Sequence, residues 1–93
     1  MEIIWSNQAV ITYEDIIDNL LLRWNVDVAL EFESLTNNIL DKLKSNEKLC
    51  PGSKKTLLRK CVIHKNSSIV YRIGKHNIEI VTFVFNKSNH SFY

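Results

Sequence analysis

The stretch 53-SKKTLLRKCVIHKNSSIVYRI-73 decides how the chain is read. It holds two runs rich in β-branched and aromatic residues, Leu57–Lys65 and Ile69–Ile73, separated by Lys65-Asn66-Ser67-Ser68. That pattern predicts two strands around a tight turn. The same stretch carries seven basic side chains, counting His64, and no acid. Downstream, Gly74-Lys75-His76-Asn77 predicts a second hairpin turn, and the apolar run from Ile78 to Phe85 predicts a third strand suited to a central position.

Upstream the period changes. Glu2-Ile3-Ile4-Trp5 forms a short apolar strand. Ser6 then suits an N-cap, because its hydroxyl can accept a free amide hydrogen of the first helical turn. Ala9, Tyr13, Ile16, Ile17, Leu20 and Trp24 fall on one face of a helix ending near Trp24–Asn25. Asp27 is the expected cap of a second helix, whose stripe is Val28, Phe32, Leu35, Ile39 and Leu43. The short connection Asn25-Val26-Asp27 makes the two helices an antiparallel hairpin. A loop around Pro51 and Gly52 leads back to the strands. The order is β-α-α-β-β-β. Consecutive strands joined by short turns form an antiparallel meander, and one helical hairpin covers one face of it. The expected fold is a two-layer α+β domain spanning 1–93, with the basic side chains on the uncovered face.

Size and composition set limits. A chain of 93 residues is one domain by default. No apolar run approaches the roughly 18–20 residues of a membrane span, and Met1–Trp5 is no signal peptide, so an intracellular, cytoplasmic protein is expected. Cys50 and Cys61 are too few for a disulfide framework, and are expected to be reduced. Charge is uneven: residues 1–50 hold four cations against nine acids, and residues 51–93 hold eight cations against Glu79 alone. An acidic half beside a basic half points to an anionic partner.

Together "EIIWSNQA", the Trp24 that closes the first helix, "LRK", "IVYRI" and "IEIVTFVFNKSNH" resemble the RelE/ParE family of bacterial toxins, in order and spacing along essentially the whole chain. The resemblance implies the toxin half of a type II toxin–antitoxin module, neutralised by a cognate antitoxin in a hetero-oligomer. It also implies one of two activities. ParE-like members poison DNA gyrase. RelE-like members enter the ribosomal A site and cleave mRNA.

RNA cleavage by 2′-hydroxyl attack needs cations to stabilise charge building on the phosphate, and a group to move protons. Aligned on "IVYRI" and the terminal segment, Arg59 matches one basic position of the nucleases. Lys87 matches another, after the last strand, and Tyr93 stands where their functional tyrosine would be. Cys61 and Ser68 occupy positions where nuclease members carry cations. These departures favour a ParE-like binder over an enzyme, with a degenerate, non-toxic binding module as a third reading. Lys54, Lys55, Arg59, Lys60, Lys65 and His90 are the candidate contacts to an anionic target. His64, Lys65 and His90 are candidate substitutes for the missing cations, and Arg72 suits either an exposed strand position or a partner for the acidic helices. The aromatics Trp5, Tyr13, Trp24 and Phe32 suit the core, whereas Tyr71, Phe92 and Tyr93 could stack on bases.

Cofactor sites are not expected. The Cys61-x-x-His64 spacing would serve a metal on a helix, but residues three apart on a strand face opposite sides. With only Gly52 and Gly74, there is no phosphate-cradling loop.

Overall fold

A computed structural model describes residues 1–64 and 67–85. The elements run β1 (Glu2–Trp5), α1 (Asn7–Arg23), α2 (Val26–Ser45), β2 (Leu58–His64), β3 (Ser67–Ile73) and β4 (Asn77–Phe85). This is the β-α-α-β-β-β order that the patterning predicts. The sheet order is β1-β4-β3-β2. The strands β2, β3 and β4 form the antiparallel meander, and β1 adds to β4 in parallel, with Glu2 opposite Asn77 and Trp5 opposite Ile80. Among the described residues, no helix is long and apolar enough to cross a membrane.

Each boundary has a local cause. Ser6 begins α1, its Oγ accepting from the Ala9 amide at 2.9 Å. The same residue fastens the helix to the sheet: its amide donates to the Ile80 carbonyl at 3.0 Å and its hydroxyl to the Val81 carbonyl at 2.7 Å. Beyond β1, the free edge of β4 is met by α1, where Thr12 Oγ1 accepts from the Phe83 amide at 3.0 Å. Polar groups of a sheet edge are thus satisfied by helix hydroxyls rather than by another strand.

The second helix starts earlier than the Asp27 reading. Asn25 is the cap, its side-chain carbonyl accepting from the Val28 amide at 3.0 Å, and Asp27 lies inside the first turn. Asp27 there meets the positive end of the helix dipole, which suits a carboxylate as well as capping does. Ser6→Ala removes a cap and a bond to β4 together. It is expected to lower unfolding free energy by about 1–3 kcal/mol, against about 1 kcal/mol for Asn25→Ala, measured by urea denaturation.

The core lies between the helical hairpin and the sheet. Ile16, Phe32, Leu43, Cys61, Ile69, Tyr71, Ile78, Ile80 and Phe83 are all buried there. At one end Trp5, Tyr13, Phe32 and Phe83 form an aromatic group with centroid separations of 5.1–5.6 Å. Burial, and secondarily the Glu33 carboxylate, raise the pKa of the Tyr13 phenol. Its neutral state is the one the core accommodates, so this contribution is complete below the ordinary tyrosine pKa and is lost as pH climbs past it.

Three expectations about packing are corrected. Trp24 does not join the core: it is the C-cap of α1 and is 68% exposed. Capping ends the helix before its ring can reach the apolar stripe. Ser67 and Ser68 are not turn residues: both belong to β3 and both are buried. Small hydroxyl side chains fit beneath larger neighbours on a closely paired strand, so their turn propensity is overridden. Most consequentially, the cysteines are not reduced thiols. Cys50 and Cys61 are joined as a disulfide, with Cα atoms 5.3 Å apart.

The second predicted hairpin is present between β3 and β4. The Gly74 amide donates to the Asn77 carbonyl at 2.7 Å. A Cβ on Gly74 would stand 3.1 Å from that carbonyl oxygen and 2.8 Å from Asn77 Oδ1, so a larger residue there would displace the Asn77 side chain and crowd the turn's backbone.

Candidate functional site

The basic stretch divides by strand alternation. Cys61 and Ile63 face the helices, so Arg59 shares their side, while Lys60 and Val62 face away. Arg59 and Lys60 are neighbours in sequence but not on one surface. The Arg59 guanidinium turns into the loop that precedes β2 and donates to the Cys50 carbonyl at 2.7 Å. It also lies along Gly52, with which Arg59 forms an isolated bridge.

That loop, residues 46–57, is held almost entirely by polar bonds and the disulfide. The Tyr71 hydroxyl donates to the Glu47 carbonyl at 2.9 Å and accepts from the Cys50 amide at 3.3 Å. The Ser53 amide donates to the Leu58 carbonyl at 2.8 Å, and the Lys60 amide to the Pro51 carbonyl at 3.3 Å. Lys48, Lys54 and Lys55 are the exposed cations of the loop, while Arg59 is turned into it and Lys60 lies on the other face of β2.

Tyr71 cannot stack on a base: it is fully buried, with its hydroxyl engaged by the loop. Arg72 does face solvent, but its partner is Glu79 on the adjacent strand β4, its cross-strand neighbour, rather than a helix carboxylate. Directly opposite positions on one face of a sheet bring the two charges together more reliably than a reach around it. Ser68 is fully buried and Cys61 is sealed in the disulfide, so neither leaves room at its position for an exposed cation. Lys65, Lys87, His90, Phe92 and Tyr93 lie outside the described residues.

The opposite end of the sheet has a different character. A cavity of about 770 Å³ opens between the tip of the helical hairpin and the ends of β2, β3 and β4. Leu20, Trp24, Phe32 and Phe85 supply its apolar lining, with Arg23, Glu31 and His64 at polar positions. His64 reaches this helix side because a register shift between Val62 and His64 interrupts strand alternation. The opposite-faces argument for Cys61 and His64 fails at that bulge, which no residue type in the stretch announces. Among the described residues no cluster of potential metal ligands is present. Leu22, Trp24, Val26 and Leu30 extend the exposed apolar surface around the hairpin tip. This groove was absent from the sequence reading; the signal available was an apolar run, Leu20-Leu21-Leu22, too long for one helix face.

Arg59 and the groove are at opposite ends of β2. Phe85, the last described residue of β4, pairs with Ser67, which pairs with His64. Phe85 is thus level with a point some five residues along the strand from Arg59, on the order of 16 Å.

No protein-family model matches the chain, and no curated protein matches it. Solved structures do. A chain of the chromosomal ParDE toxin–antitoxin system from P. aeruginosa superposes with a TM-score of 0.66 at 18% identity, covering 91% of this chain and 95% of that one. A YoeB/ParE toxin from Agrobacterium tumefaciens gives a TM-score of 0.66 at 12% identity over 92% of this chain and 99% of its own. A YoeB dimer from Staphylococcus aureus gives 0.66 at 17% identity over 92% and 97%. The chain has the RelE/ParE-like α+β fold.

Proposed function

We propose that this protein is the toxin of a type II toxin–antitoxin module, acting by binding a macromolecular target in the cytoplasm, with DNA gyrase the leading candidate, and neutralised by a cognate antitoxin. Similarity of fold to toxins of both ParE and YoeB kinds supports the toxin reading. A YoeB–YefM complex from Staphylococcus aureus is among the structural neighbours, at 17% identity, which supports a protein antitoxin as partner. The groove at the hairpin tip, apolar with exposed Trp24 beside it, suits an apolar segment of such a partner.

The observation that favours binding over catalysis is the state of Arg59. Its guanidinium is committed to the Cys50 carbonyl and to the packing of the loop. A cation holding its own fold is poorly placed to stabilise a phosphorane. The exposed loop lysines Lys54 and Lys55, with Lys60 on the adjoining strand, then serve recognition and electrostatic steering, not bond cleavage. The second reading, a ribosome-dependent mRNA endonuclease, rests on Lys87 and Tyr93 joining Arg59.

Expression without antitoxin separates the two. The binding reading expects growth arrest, accumulation of gyrase-linked DNA breaks, and intact mRNA. Arg59→Ala should then act through the fold, lowering unfolding free energy by about 1.5–3 kcal/mol, since a charge-assisted bond to a carbonyl is lost. Codon-specific mRNA cleavage in a translating extract, abolished by alanine at Arg59, Lys87 or Tyr93 in stably folded protein and unaccompanied by DNA damage, would overturn it. Harmless expression of folded protein would leave only the degenerate binding module.

A further inference from the structure

We propose that Cys50 and Cys61 are a reversible thiol–disulfide exchange site that sets the order of the basic loop 46–57, independently of whether the protein is a toxin. The two sulfurs sit differently. Cys61 is 2% exposed on β2, facing the core, whereas Cys50 is only partly buried on the loop itself. The link spans a sequence separation of 11 residues and joins a poorly anchored segment to a well anchored one.

The anchoring is what makes the link a control point. Leu49 and Leu57, the two large apolar side chains of the loop, are both exposed, Leu57 at 86%. The core gains only Cys50 from this segment, packed at its margin. What remains to hold the loop is a handful of polar bonds, from Tyr71, Arg59, Ser53 and Lys60. Segments with few buried apolar contacts open at low free energy while the rest of a domain stays closed. Breaking the link therefore releases the loop and, with it, the fixed placement of Lys48, Lys54 and Lys55. The helices and β4 do not depend on it.

The chemistry needs a low-molecular-weight disulfide as oxidant. The Cys50 thiolate, the accessible one, attacks one sulfur of that disulfide. The external S–S bond breaks, a mixed disulfide forms at Cys50, and one small thiolate leaves to take up a proton. The Cys61 thiolate then attacks the Cys50 sulfur, closing the internal bond and expelling the second small thiol. The protein loses two electrons and two protons, and the external disulfide gains them as two thiols. Reduction runs the same steps backwards, with entry again at Cys50.

The full chain is equilibrated in buffers of defined ratio of reduced to oxidised glutathione. Thiol labelling gives the fraction oxidised, and amide exchange and trypsin cleavage report on the loop. The expected result is a reversible transition in which amide exchange across 46–57 and cleavage after Lys48, Lys54 and Lys55 rise at least tenfold in the reduced form. Exchange in α1 and β4 should rise uniformly by no more than about 150-fold, the factor global unfolding gains when a link closing a loop of this length is opened, and both elements should stay strongly protected. Cys50→Ser should behave as the reduced form at every ratio. Equal loop protection in both forms overturns the proposal. So does failure of the bond to re-form in oxidising buffer, or loss of protection throughout the domain on reduction, which would make the link a staple of the whole fold. If Cys50→Ser is unfolded, Cys50→Ala with the same readouts decides.

Discussion

Tyr71→Ala is expected to lower unfolding free energy by about 3–5 kcal/mol, a large share of what a domain this size possesses. The ring is fully buried in the middle of β3, between Arg59 on β2 and Ile80 on β4. Removing it opens a cavity in the one core cluster between the helices and the sheet. Tyr71→Phe separates the two roles of the residue. It keeps the ring but leaves the Cys50 amide and the Glu47 carbonyl without their protein partner. Its expected cost is about 1–3 kcal/mol, less if water reaches the loop groups. Urea melts with unchanged slope, together with amide exchange, would distinguish them: Tyr71→Ala should loosen core and loop alike, Tyr71→Phe mainly the loop. By contrast, Leu22→Ala, at a position 86% exposed, should change stability by no more than about 0.5 kcal/mol. Equal effects at the two positions would contradict the core described above.

Reducing the Cys50–Cys61 link should cost about 2–3 kcal/mol. Closing a loop with a sequence separation of 11 removes that much free energy from the unfolded chain on the loop-entropy account. For a chain of this length the midpoint of thermal unfolding should fall by roughly 10–20 °C. Calorimetry of the oxidised and reduced protein checks this directly. The native baseline of the reduced form should remain cooperative, because the hydrophobic core is complete without the loop. A reduced form that melts at the oxidised temperature would show that the link constrains nothing in the unfolded ensemble.

The two effects fall on opposite sides of what a one-dimensional reading can see. Ile78, Ile80 and the Ile69–Tyr71 run declare themselves as core by strand pattern, and the caps of Ser6 and the turn at Gly74 follow from residue chemistry. The fold class was legible for that reason: each signal is local. Pairing between distant segments is not. Nothing in Glu2–Trp5 says that it lies parallel to β4, and nothing in Cys50 says that its partner eleven residues on will be brought within bonding distance by a loop folding back on β2. Compartment reasoning gave the cysteines the wrong state because it weighs environment, not proximity. The candidate site fared similarly. Lys48, Lys54 and Lys55 stand exposed on the loop, but Arg59 spends its guanidinium inside the structure, a use that no count of basic residues can distinguish from an exposed contact. The bulge before His64, which turns that side chain toward the groove, depends on a register between strands and leaves no mark in composition.

The parallel pairing of β1 with β4 also sets a clock on biosynthesis. Glu2 must wait for Asn77, and the Ser6 hydroxyl for the carbonyl of Val81, 75 residues later. At ordinary rates of translation that wait is about 4–15 seconds. Through it the first strand has no partner and the sheet lacks its edge. The helical hairpin, built from neighbouring residues, can form meanwhile, but the finished surface exists only once almost the whole chain has been made.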